Sequence, residues 1–422
     1  MMRASSWIVF LISFLCFPSC GKEESPLCVP REGGRCLEVK PEGDVTERLR
    51  EIMTTLQPND TLYLHEGSYN LKSSLYLDTP GVTIRGAGKT KTILSFAGME
   101  TGAGTDGLHI TADNITLEDF SVLDMRGDGV KIEGGRNIVV RRVRAGWSGG
   151  PSSQNGGYGI YPVLCTGVLI EESEAFGASD TGIYVGQSEN VVIRNNLAYE
   201  NVAGIEVENS RYVDVYGNES RNNTGGILVF SLPNLQVKDA GYVRVFNNYI
   251  HDNNTDNFAP EGNIVGLVPR GTGLIIMAAH DVHVYNNRLE NHKTGQIGII
   301  SYLLTMRPVS DPGYYPYPST IFIHDNTFQA GGNEPDLGSL LGLALSTAFP
   351  NGVPDILYDG IRDPAVGNPR ICIEEPQATF ANWNVDPDRI RETAPDPSRV
   401  TTSRDPHNCT IPEPGPASYT AP

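Results

Sequence analysis

A cation, two phenols and a carboxylate recur at one place in a repeated phrase. Lys131, Tyr161, Tyr184 and Glu206 each follow the first apolar residue of a Gly-apolar-x-apolar segment, and His109 holds the same place earlier. Set side by side, such groups suit a sugar polymer. Aromatic faces stack on sugar rings while phenol tips hydrogen-bond. Asp180 stands just before one strand and Glu206 one repeat later, so their carboxyls would lie about 5–8 Å apart, the separation used in paired-carboxylate glycoside hydrolysis. Alternatively, Lys131 or Tyr161 would remove the proton alpha to a uronate carboxyl, with a cation stabilising the enolate. The catalytic candidates are therefore Lys131, Tyr161, Asp180 and Glu206. The substrate-binding candidates are His109, Tyr184, Trp147 and Tyr158, the last two from an inserted loop. Asp106 and Asp128 also precede Gly and would add ligands for Ca²⁺, the one cofactor this chemistry admits without requiring it. Against these roles, Asp before Gly is first a turn residue, and Tyr and Lys are common on exposed strands.

The elements that would position these groups follow from the spacing. The segments begin at Gly107, Gly129, Gly159, Gly182, Gly204, Gly226 and Gly273, with a step of 22 residues or nearly so except where insertions intervene. A second apolar-x-apolar segment follows each, as at Val191-Val-Ile and Val213-Asp-Val, and then an Asn pair such as Asn195-Asn196. Alternation with period two predicts strands, and a short repeat of strands predicts a solenoid. Each unit makes one coil of about three short strands, and coils stack at about 4.8 Å. Asn at the recurring corner tolerates a left-handed bend, so the sequons at Asn114, Asn218 and Asn222 are read as corner residues.

Four insertions, 145–157, 231–241, 254–272 and 302–319, fall at the borders of the sheet built from the Gly-first strands. They would rim a trough along it, since long loops on a rigid scaffold tend to carry function. Residues 44–56 predict a capping helix: Asp44 and Glu47 have capping-box spacing, and Val45, Leu49, Ile52, Met53 and Leu56 share one face. Residues 337–349 predict a short apolar helix or strand. Residues 350–422, rich in Pro and Asp, predict an irregular cap ending in a disordered tail from Pro412.

The order of capping helix, "LHEGSYNL…GVTIRGAG" and Gly-Ile-x-Val/Asn-Val-x-Ile-x-Asn-Asn coils resembles the right-handed parallel β-helix superfamily, which includes pectate lyases and polysaccharide epimerases. The resemblance covers residues 44–330 and implies an all-β parallel β-helix. The stretch "WSGGPSSQNGGYGIYPV" is similar to a family of bacterial exported β-helix proteins without an assigned activity, so the fold leaves function open. Asp405-Pro406-His407 resembles an Asp-Pro-His signature of uronan epimerases, yet it stands in the irregular tail.

The ends and the composition set the context. Residues 1–20 read as a lipoprotein-type signal peptide with Cys20 as the acylated residue, 21–43 as a linker, 44–330 as the β-helix domain and 331–422 as cap and tail. Export to a bacterial envelope permits disulfides, and proximity within each end suggests Cys28–Cys36 and Cys372–Cys409, leaving Cys165 a buried thiol. A net charge of -18 argues against nucleic acid or an anionic membrane surface as partner. Membrane contact would come only through the lipid anchor. The expected function is binding, and modification by lyase, epimerase or hydrolase chemistry, of an extracellular or envelope polysaccharide. The alternative is a non-catalytic scaffold for another exported protein.

Overall fold

A computed structural model describes residues 28–388 and 396–419. The expected signal peptide and Cys20 lie outside the described residues.

The strands form two parallel sheets wound into one column. An eleven-stranded sheet takes one strand per coil, and a twenty-stranded sheet takes the other two and bends through the corner between them. One coil runs Thr181–Gly186, Glu189–Arg194 and Leu197–Tyr199 before the next begins at Ala203–Glu208. Register is strict: Ile183 pairs Ile205, which pairs Ile227, then Leu274, Ile297, Ile356 and Phe380. These side chains are buried and belong to one continuous core. No coil could bury that row alone, which is why the sequence repeats.

The Asn pairs divide their labour. The first residue of each pair takes the left-handed conformation, as at Asn195 (φ 55°), Asn247 (φ 54°) and Asn286 (φ 53°), and Gly217 (φ 65°) replaces it once. The second residue forms an amide ladder inside the column. Asn196 Nδ2 donates to Asn218 Oδ1 at 3.0 Å, Asn218 to Asn248 at 3.0 Å, Asn248 to Asn287 at 2.9 Å and Asn287 to Asn326 at 3.0 Å. A second ladder, Asn201, Asn223 and Asn253, ends on His292.

The ends are covered, as open sheet edges require. Helix α1 (Val45–Thr55) buries Val45, Leu49 and Met53. Asp44 accepts from the Thr46 amide, but Glu47 pairs with Arg50 at 2.8 Å rather than completing a capping box. Residues 337–349 resolve into helix α2 (Leu340–Ala348), capped by Ser339. Among the described residues, no helix is long and apolar enough to cross a membrane.

The column extends beyond 44–330. Cys36–Val39 pairs with Thr61–Leu64. Ile356–Tyr358, Ile371–Glu374 and Phe380–Asn382 add rungs at the far end. These strands lack the Gly and Asn marks of the repeat, so spacing alone missed them. Cys28 is joined to Cys36 and Cys372 to Cys409, while Cys165 is a buried free thiol.

The tail also departs from expectation. Residues 409–419 run back along the outward face of the larger sheet. Ile411 packs on Phe322 and Cys372. Glu413 accepts from Arg244 Nη1 (2.8 Å) and Tyr285 OH (2.6 Å). Ala417 and Tyr419 cover Val139, Leu169 and Val192. A Pro-rich composition signals no core of its own, but an extended segment can dock where a sheet presents apolar residues outward.

Candidate functional site

Alternation along the eleven-stranded sheet puts one row of side chains on its outward face. The pairings give Tyr76, His109, Lys131 and Tyr161 in sequence. Tyr184, Glu206, Leu228 and Ile275 continue it. The row is open at its N-terminal end and covered further on, and its chemistry changes accordingly.

At the open end, Tyr76 is 59% exposed. His109 lies between two carboxylates, 3.6 Å from Asp106 Oδ2 and 3.6 Å from Glu133 Oε2. Lys131 Nζ is 3.5 Å from Glu133 and 5.8 Å from the centre of the Tyr161 ring. Next comes a cluster of three phenols. The Tyr158 ring centre is 4.5 Å from those of Tyr161 and Tyr184, which are 5.1 Å apart. Asp128 is half-buried at the edge of this cluster. Burial, reinforced by the charge of Asp106, lifts its carboxyl to about 7.

Behind the tyrosines three acids are buried together. Thr181 Oγ1 bridges two of them, 3.0 Å from Asp180 Oδ1 and 2.6 Å from Glu206 Oε2. Tyr184 OH donates to Glu208 Oε1 at 2.6 Å. Asn263 Nδ2, from the 254–272 insertion, donates to Asp180 Oδ2 at 2.9 Å. Burial raises Asp180 and Glu208 to about 7 each and pushes Glu206 well above the usual carboxylate range, with its two acidic neighbours adding to the rise. Near neutral pH this group holds protons rather than a full set of charges. Among the described residues, no group of three or more His, Cys, Asp or Glu is arranged to hold a metal ion.

A family model described as "Right handed beta helix region" matches residues 80–238. The chain is a right-handed parallel β-helix. The A-module of the mannuronan C-5 epimerase AlgE4 of Azotobacter vinelandii is similar in structure (TM-score 0.51, 17% identity), over 76% of this chain and 89% of that one. The catalytic unit of a thermostable GH87 α-1,3-glucanase from Streptomyces thermodiastaticus also has a TM-score of 0.51 at 17% identity, over 80% of this chain and 52% of that one. Likeness at this identity establishes the shared fold. No curated protein matches the β-helix by sequence.

The column brings Lys131, Tyr161, Tyr184 and Glu206 onto one face in successive rungs, with His109 ahead of them and Tyr158 beside them. It does not leave all of them open. Glu206 is 1% exposed and Tyr184 5% exposed, so neither forms an accessible trough floor. The reason is that the 254–272 and 302–319 insertions lie down on the sheet rather than standing at its borders. Val265, Val268, Tyr302 and Tyr314 pack on Leu228, Phe230 and Ile275. Trp147, expected in a wall, is a core residue whose Nε1 donates to Met125 O at 2.7 Å. Asp180 is likewise buried beneath Asn263. His407 of the Asp-Pro-His tripeptide is buried at the C-terminal end, its Nδ1 on Ile371 O at 2.8 Å and its ring against Phe380. Two acids escaped the sequence reading. Glu133 and Glu208 sit two residues beyond Lys131 and Glu206, and the same alternation points them outward.

Proposed function

We propose that this β-helix binds a polysaccharide across Tyr158 and Tyr161 at the open end of the eleven-stranded sheet, and that Asp128 acts there as a general acid. One observation carries the reading: a half-buried carboxyl raised to about 7 stands at the edge of a solvent-reached aromatic cluster. A carboxyl in that range is protonated near neutrality and can donate to a glycosidic oxygen. Asp106 lies on the preceding rung, its Oδ1 accepting the Asp128 amide at 3.2 Å, and is the carboxylate placed to assist. Lys131 and His109, flanked by Glu133, would position the sugar's polar groups. The buried acids Asp180, Glu206 and Glu208 hold Tyr184 and the Asn263 loop and thereby shape the platform. The two solved structures named above bear names of polysaccharide-acting enzymes, which agrees with the reading. Export through a signal peptide, acylation at Cys20 and a place in the cell envelope belong to the same proposal.

The test is a panel of uronans and glucans assayed for binding, for new reducing ends and for unsaturated uronate. Tyr161→Ala should weaken binding about tenfold or more, as expected when a stacking ring is removed. Asp128→Asn should keep binding and lose turnover by about a hundredfold or more. Parent-like binding and turnover in both variants would refute the site.

A further inference from the structure

Further along the same face, past the buried acids, the sheet is roofed but not filled. A cavity of about 1250 Å³ lies between it, the 254–272 insertion, the 302–307 turn and helix α2. Its floor is Phe230, Ile275, Met277 and Ile300, and Val268, Leu341 and Trp383 also line it. We infer that this cavity is a binding site for the aliphatic chain of a fatty acid or a lysolipid.

The chemistry of the wall selects that class. Most polar side chains that reach it are already engaged, exposed Glu261 apart. Arg270 pairs with Asp256 at 2.6 Å and Arg399 with Asp386 at 3.2 Å. Arg307 donates to the carbonyls of Gly262 and Asn263 at 2.9 and 3.1 Å. Asn257 Nδ2 donates to Val265 O and Val268 O, both at 2.9 Å. Among the described residues, no buried side-chain nitrogen or oxygen of the wall lacks a partner. A sugar or peptide entering here would give up water and find few free partners for its own polar groups, which disfavours it. A methylene chain loses nothing of this kind and gains contact with branched aliphatic side chains. The space exceeds the ~300–1,000 Å³ typical of drug-sized ligands, so a long chain fits.

The mouth supports the same class. Leu340 and Leu267 line the cavity yet are 73% and 37% exposed, and Leu337 and Leu343 beside them are 63% and 50% exposed. An apolar lip of this size on a chain of net charge -18 is where a hydrocarbon tail would leave a micelle or bilayer and enter.

The experiment titrates the full-length protein with cis-parinaric acid, read by energy transfer from Trp383, with palmitate, lysophosphatidylcholine and a neutral hexasaccharide as competitors. Saturable binding is expected, displaced by palmitate or the lysolipid and not by the hexasaccharide. Displacement by palmitate alone identifies a free acid as the source of the chain, and displacement by both identifies a site blind to the head group. Ala344→Trp, which fills the cavity, and Leu341→Glu, which charges it, should each weaken the probe about tenfold or more. Each variant's melting curve must match the parent's. Tyr161→Ala should bind the probe like the parent, so the outcome does not depend on the glycan reading. Absence of saturable binding, displacement by the hexasaccharide, or unchanged affinity in both folded cavity variants would overturn the assignment.

Discussion

Glu208→Gln should make the protein more stable, and only at the alkaline side. Glu208 is buried against Tyr184 in company with Asp180 and Glu206, and its carboxyl moves from the ordinary 4.5 to about 7. A raised carboxyl binds its proton more tightly folded than unfolded. Stability is therefore fully present below the unfolded value and falls as pH rises from about 4.5 towards 7. The rise from 4.5 to about 7 corresponds to a loss of about 3–4 kcal/mol. The three acids titrate together, so the figure belongs to the cluster as much as to one residue. Glutamine keeps an oxygen for the Tyr184 hydroxyl and removes the charge. The variant should match the parent at about pH 4 and exceed it by about 3 kcal/mol at about pH 8, or a few degrees in Tm for a chain of this length. Thermal melts of both proteins across that range measure the difference directly: titrating groups outside the cluster cancel in the comparison, while Asp180 and Glu206 lose the repulsion of the Glu208 charge and add to the gain. An equal gain at both pH values, or no gain at about pH 8, would refute the assignment of a proton-holding cluster.

Three further outcomes are expected. Ile205→Ala removes a core rung and should cost about 2–5 kcal/mol by urea unfolding, and a loss below about 1 kcal/mol would show that neighbouring coils close the gap. Asn218→Ala leaves Asn196 Nδ2, the Asn196 amide and Ile193 O without their partner; a cost of about 2–4 kcal/mol is expected, whereas Asn222→Gly, at a corner with φ 55°, should be near neutral. Cys409→Ser opens a link of 37 residues, worth about 4 kcal/mol by loop entropy, and should make residues 410–419 more susceptible to limited proteolysis than in the parent.

The repeat was legible because each of its parts answers a local need. Gly204-Ile-Glu-Val and its copies alternate because one face is core, and Asn195-Asn196 recurs because one residue bends and the next bonds across coils. Register then placed Lys131, Tyr161, Tyr184 and Glu206 on one face with no further information. Burial on that face was not legible. Whether Glu206 sees water depends on how the 254–272 and 302–319 insertions fold, and neither insertion has a period to read. Trp147 was misplaced for the same reason: beside an inserted loop, nothing local distinguishes a wall from the core. The final strands, such as Ile371–Glu374, carry apolar alternation without the Gly and Asn punctuation, and so looked irregular.

The returning tail changes how such a column can come apart. A stack of nearest-neighbour units frays from whichever end is weaker, one turn at a time. Here the last segment is bolted at Cys372, clasped at Arg244 and laid over Val139, so the early and late turns share a fastening. Opening the terminal turns strains that fastening, and loss of the fastening loosens turns at both ends together. Amide hydrogen exchange should accordingly show the strands at 139–141 and 321–323 protected as a single cooperative unit in the parent, and as two separate ones once residues 410–419 are cut away.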